Sequence, residues 1–161
     1  MRIRCYKQIC MPRQMKPMPG LLGQKDIQIG SGRLFAKVLI FNNNRNLCKF
    51  WKKYTGYALG RYTRGAVNAL STHTIEIGKD GSETNSTLWV DPRYFCLVGL
   101  INTHLTLPII AHEAVHVGFC FARRKARSPW DAQIKHFEEE AIAYPAGEFV
   151  KQMIAWLDKM T

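Results

Sequence analysis

His112-Glu113-Ala114-Val115-His116 is the stretch that decides how this chain is read. An α-helix turns by about 100° per residue, so side chains four positions apart stand one turn apart on one face, and both imidazoles can reach a common ion. Glu113 is offset by one position. That offset suits a carboxylate that takes a proton from metal-bound water and leaves the ion itself to the histidines. Residues 107–122 carry no charged side chain except Glu113, which is the composition of a buried helix. Pro108 fits the first turn, where its missing N–H costs nothing, and Arg123-Arg124-Lys125 stands where cations favour a helix C-terminus. The expectation is a helix over about 107–124, with Ile110, Ala114, Val117 and Phe121 as its apolar stripe and His112, Glu113 and His116 on the other side. A core helix with two satisfied histidines is the plainer alternative. The internal acid argues for metal binding, because burying three such groups unpaired is costly.

A catalytic zinc takes three protein ligands and keeps a fourth position for water. Downstream, His136, Glu138, Glu139, Glu140 and Glu148 are the candidates. They fall on a second expected helix, which opens with Ser128 as cap, Pro129 at the first position and Asp131 in the first turn, and runs to about Lys159. Pro145 removes one hydrogen bond to the preceding turn, so a kink or break is expected near Tyr144.

Together these residues resemble the gluzincin-type zincins, in particular the small intracellular and phage-encoded ones and the ImmA/IrrE-like peptidases. In that family a second helix carries a glutamate followed by small residues that let the two helices close on the metal. Glu140, with Ala143 and Gly147 after it, fits this pattern; Glu138 and Glu139 fit it less well and remain alternatives. The likeness runs from Leu105 to Leu157 and is specific only at the ligand pattern. It implies a Zn2+ cofactor held by His112, His116 and Glu140, with Glu113 as general base on the zinc-bound water. It further implies a metallopeptidase that hydrolyses a peptide bond in a cytoplasmic protein. The implied fold is α+β and zincin-like: a small, mostly antiparallel sheet, then the histidine helix, then a C-terminal ligand-bearing helix. One departure is Tyr144, which stands where gluzincins with an ExxxD pattern carry an acid. Tyr94, His104, His136 and Tyr144 are all available as transition-state donor, and none is assigned.

At 161 residues the chain is long enough for one sizeable core. Residues 1–24 read as a basic, flexible arm and residues 25–161 as a single domain. No apolar run reaches the length of a membrane span, and the N-terminus lacks the apolar stretch of a secretion signal, so a cytoplasmic protein is expected. Five cysteines without a CxxC pair fit reduced, often buried thiols.

Upstream of the histidines, residues 33–41 read as a strand that ends at Asn42-Asn43-Asn44. One of those asparagines can cap a short helix through Leu47, Phe50, Trp51 and Tyr54. Residues 66–77 and 86–90 read as strands joined by a hairpin at Asp80-Gly81, and Leu88-Trp89-Val90 is the candidate edge beside the cleft by adjacency. His73, on the first of these, reads as a surface or hydrogen-bonded residue.

Charge is the second clue. Residues 1–80 hold 15 Lys/Arg against 3 Asp/Glu, whereas residues 81–161 hold 8 against 9. Lys49, Lys52, Lys53, Arg61 and Arg64, interleaved with Trp51, Tyr54, Tyr57 and Tyr62, form a candidate patch for nucleic-acid phosphates or an acidic partner. SprT-like zincins act on DNA-bound proteins, but they carry three histidine ligands and a cysteine ribbon that this chain lacks. Besides the peptidase, two other classes stand: a nucleic-acid-binding protein with a structural zinc, and a zincin-fold binding protein without turnover.

Overall fold

A computed structural model describes residues 18–77, 83–89, 93–125 and 139–160. Its strands are β1 (Leu21–Gln28), β2 (Phe35–Phe41), β3 (Gly65–Ala69), β4 (Ser71–Ile77), β5 (Glu83–Trp89) and β6 (Tyr94–Ile101). Among the described residues there are three α-helices, α1 (Asn44–Thr55), α2 (Leu107–Lys125) and α3 (Glu139–Leu157), and a 3-10 turn at Asn102–His104. The first four-stranded sheet has the order β1-β2-β6-β3, and β4 and β5 pair in a separate two-stranded sheet.

The fold is α+β, and its main sheet is mixed and open. The expected zincin arrangement is corrected: the sheet is mixed, with a parallel central pair, and among the described residues no ligand-bearing cluster accompanies it. β2 and β6, the central pair, run parallel, with β1 and β3 antiparallel on either side. Parallel neighbours require a crossover, and α1 lies on the path between them, packed against both strands. β2 is the expected strand near 33–41, and Asn43 caps α1 by accepting from the Asn46 amide at 3.0 Å. β1 takes in residues 21–24, which the sequence reading leaves in the N-terminal arm; residues 1–17 lie outside the described residues.

The sheet is covered on both faces. Alternating side chains of β2 and β6 divide between two cores, as the period of two requires. Ala36, Val38, Cys96, Val98 and Leu100 join α2 and α3 on one face. Leu39, Phe41, Leu97 and Ile101 join Leu47, Phe50 and Trp51 of α1 on the other. The pairing shifts between Phe35 and Ala36, and Phe95 and Cys96 both turn to the α2 side. Gly99 is required where α1 crosses β6: a Cβ there would stand 2.5 Å from Leu47 Cδ1 and 2.9 Å from Trp51.

On the α1 face, Lys37 is buried to 3 % exposure, which demands a partner. Its Nζ lies 2.8 Å from Asp26 Oδ1, and the Tyr94 hydroxyl donates to Asp26 Oδ2 at 2.7 Å. One carboxylate thus ties β1, β2 and β6 together. Asp26→Ala strands both donors. The Asp26 side chain keeps about a third of its surface in water, which lowers the cost below that of a sealed pair, to about 2 kcal/mol of stability. Lys37→Met removes the charge along with its need for a partner and is expected to cost less than half as much. Urea unfolding of the two variants tests this order; equal losses would contradict it.

Candidate functional site

α2 is the helix expected over 107–124, and its burial divides by angle. Ile110, Ala114 and Val117 face the sheet, and Gly118 and Ala122 face α3. Glu113 belongs to the buried set, at 5 % exposure, and does not lie with the histidines as the sequence reading places it. It sits against β3, so closely that a Cβ on Gly65 would stand 2.7 Å from Glu113 Oε1. His112 and His116 are exposed, their ring centroids 5.0 Å apart and the rings tilted edge to face. The strand beside this acid is therefore β3, the edge of the four-stranded sheet, and not the Leu88-Trp89-Val90 segment, whose Leu88 and Trp89 fall in β5.

Burial pushes the Glu113 carboxyl up, and the neighbouring His112 charge pulls it partly back. His116 is pushed down, first by burial and then by repulsion from His112.

Glu140 does not join this group. It lines an open groove of about 300 Å³ with Phe121, Ala122, Lys125, Ala141, Tyr144 and Pro145, at the far end of α2. Ala122 lies six residues beyond His116, about 9 Å along the helix axis. The antiparallel course of α3 fixes that offset: a Cβ on Gly118 would stand 2.5 Å from the Ile142 carbonyl oxygen, so Ile142 and not Glu140 meets the middle of α2. Glu139 is exposed beside Glu140, and Glu138 and His136 lie outside the described residues. Glu148 accepts from Gln152 Nε2 at 3.4 Å. Tyr94 is committed to Asp26 on the opposite face of the sheet, and Tyr144 points to solvent at 62 % exposure. Pro145 does not interrupt α3, which continues through it. His73 falls in β4.

Among the described residues, no group of three or more His, Cys, Asp or Glu side chains is placed to hold a metal ion. This corrects the gluzincin resemblance, the Zn2+ cofactor and the zinc-dependent metallopeptidase inferred from it. The physical reason is a separation of roles around one helix: two imidazoles turned outward, one carboxylate turned inward, and the nearest described acids of α3 more than a turn away.

The other candidate surface is built by α1 and the loop after it. Arg45, Lys49 and Lys52 recur at four and three residues, so they form one outward stripe, with Lys53 beside it. Arg45 extends the patch beyond the residues grouped from sequence; its helical spacing is the signal that finds it. The buried face holds Leu47, Phe50 and Trp51. Gly56 ends the helix in the left-handed conformation at φ 78°, with its amide on the Lys52 carbonyl. The chain then returns along α1: Asn44 Nδ2, in the first turn of the helix, donates to the Thr63 carbonyl at 2.5 Å. Arg61 and Arg64, both exposed, lie on this returning segment next to α1. Of the four aromatic residues, Trp51 is core, Tyr54 stacks on Phe50 at 4.4 Å, and Tyr57 and Tyr62 face solvent.

No family model matches the chain, and neither a curated protein nor a solved structure matches it. No helix among the described residues is long and apolar enough to cross a membrane.

Two measurements check this site. Because the Glu113 carboxyl is held above its ordinary value, it favours the folded state at acid pH, and that contribution is lost as pH rises through its folded pKa. Glu113→Gln should therefore raise the urea midpoint at pH 7 relative to the native chain and lose that advantage at pH 4; an advantage confined to pH 4 would refute the assignment. Protein purified without chelators and dialysed should retain well under one equivalent of zinc. A full equivalent retained would overturn the correction.

Proposed function

We propose that this chain is a nucleic-acid-binding protein whose contact surface is α1 and residues 56–64. The observation that carries the reading is charge in place: Lys49, Lys52, Lys53, Arg61 and Arg64 are all exposed on this helix-and-loop face. Among the described residues none of the five pairs with a carboxylate, and the sequence holds no Asp or Glu between Asp26 and Glu76. A polyanion that neutralises such a face releases its condensed counterions, which is the main source of sequence-independent affinity for nucleic acid. The net charge of +11 supports the same reading through long-range attraction. A reducing, cytoplasmic setting suits the free thiols of Cys48, Cys96 and Cys120.

Fluorescence anisotropy with a labelled 20-nucleotide strand tests the proposal. Affinity should fall as salt rises, with a log–log slope of about −3 if roughly four phosphates are engaged. Lys52→Glu combined with Arg61→Glu should flatten that slope and weaken binding at low salt. A salt-independent signal, or none at about 50 mM salt, would reject the reading.

A further inference from the structure

Resting on that reading, we infer that the occupant is single-stranded nucleic acid, its bases stacked on Tyr57 and Tyr62 while Lys52, Lys53, Arg61 and Arg64 follow its phosphates. Two of the four aromatic rings in residues 51–62 are consumed by the core, and the other two are not. Tyr57 is 69 % exposed and Tyr62 is 85 % exposed. A tyrosine normally buries most of its ring and leaves only the hydroxyl in water. Two rings this open, within six residues of each other and flanked by cations, leave flat apolar surface unused by the fold.

The rings stand on a positioned loop. Tyr57 follows the Gly56 cap directly, and its amide donates to Thr55 Oγ1 at 3.2 Å. The Thr63 amide donates to the Gly60 carbonyl at 3.1 Å, closing a turn under Tyr62. Between them Leu59 is partly buried against the α1 core, which fastens the middle of the loop inward while the tyrosines on either side point out. Because the loop retraces α1 from Gly56 back to the level of Asn44, the two rings lie toward opposite ends of a helix about 18 Å long. They are too far apart to stack on each other and suit separate bases of one strand.

A paired duplex hides its base faces and offers only edges and phosphates, so exposed tyrosines add little to duplex binding. A single strand offers every base face. Stacking there tolerates any sequence, and one ring is worth roughly five- to a hundredfold in affinity. Arginines next to such rings hold the phosphates and stack in turn.

The test compares (dT)20, a 20-base-pair duplex and poly-glutamate as ligands of the full chain at one salt concentration. Native protein should bind (dT)20 at least tenfold more tightly than the duplex. Tyr57→Ala and Tyr62→Ala should each weaken (dT)20 binding about tenfold with the salt slope unchanged, and Tyr57→Phe and Tyr62→Phe should retain it. Both positions are exposed, so unchanged urea midpoints are expected and separate loss of binding from loss of fold. Alanine variants that bind (dT)20 like the native chain, or a duplex bound as tightly as the single strand, would overturn the inference while leaving nucleic-acid binding in place. Poly-glutamate bound more tightly than either nucleic acid, or no binding of either, would overturn both.

Discussion

Burial of β6 on both faces sets the positions of everything else in the molecule. All eight of its residues are withdrawn from solvent, and alternate side chains supply opposite cores. Gly99 gives up a side chain so that Leu47 and Trp51 can approach the strand, which seats α1 and leaves its basic stripe outward. On the other face Cys96, Val98 and Leu100 seat α2, and with it the histidine pair. The two candidate surfaces therefore lie on opposite sides of one sheet. They share a scaffold and no residues.

That separation explains why, among the described residues, a recognisable pattern on α2 does not become a metal centre. Four-residue spacing fixes that His112 and His116 share a face; it says nothing of which way the face looks. Packing decides that, and the sheet claims the side of α2 that carries Glu113, while the small residues Gly118 and Ala122 claim the side toward α3. The pressing of Gly118 on Ile142 sets the height of α3; Ala143 and Gly147 are exposed, with nothing within 4 Å of a Cβ on Gly147, so the expected close-approach pair does not make the contact, and Glu140 is left in the groove that Lys125 also lines. A local motif supplies ligand types, and the third ligand depends on a helix register that no local pattern encodes.

What could be read from sequence follows the same division. α1, α2 and β2 were legible because caps, charges at helix ends and runs of β-branched and aromatic residues are local signals: Asn43 for α1, Arg123-Arg124-Lys125 for α2, Phe35–Phe41 for β2. β1 was not, since Gly23, Gln24, Lys25 and Asp26 are poor strand formers, and what places them is long-range: the ladder with β2, the burial of Ile27, and Asp26's ties to Lys37 and Tyr94. β6 carries a continuous apolar run that fits a buried strand or a buried helix equally. Its parallel pairing with β2 is a long-range choice, so the mixed order of the sheet was beyond local reading. In the basic patch the charges were legible from sequence. Which aromatics face out was not, because Trp51 and Tyr57 differ only in whether the helix turns them toward Phe50 or the chain has already left the helix at Gly56.

The α1 face is the surface proposed to meet nucleic acid. Backbone amide shifts of the 15N-labelled 161-residue chain, followed as (dT)20 is added at low salt, locate that face residue by residue. Shifts concentrated in residues 45–64, with α2 unmoved around His112 and His116, are the predicted result. Shifts concentrated in residues 107–118 and in β3, with α1 unmoved, would contradict it.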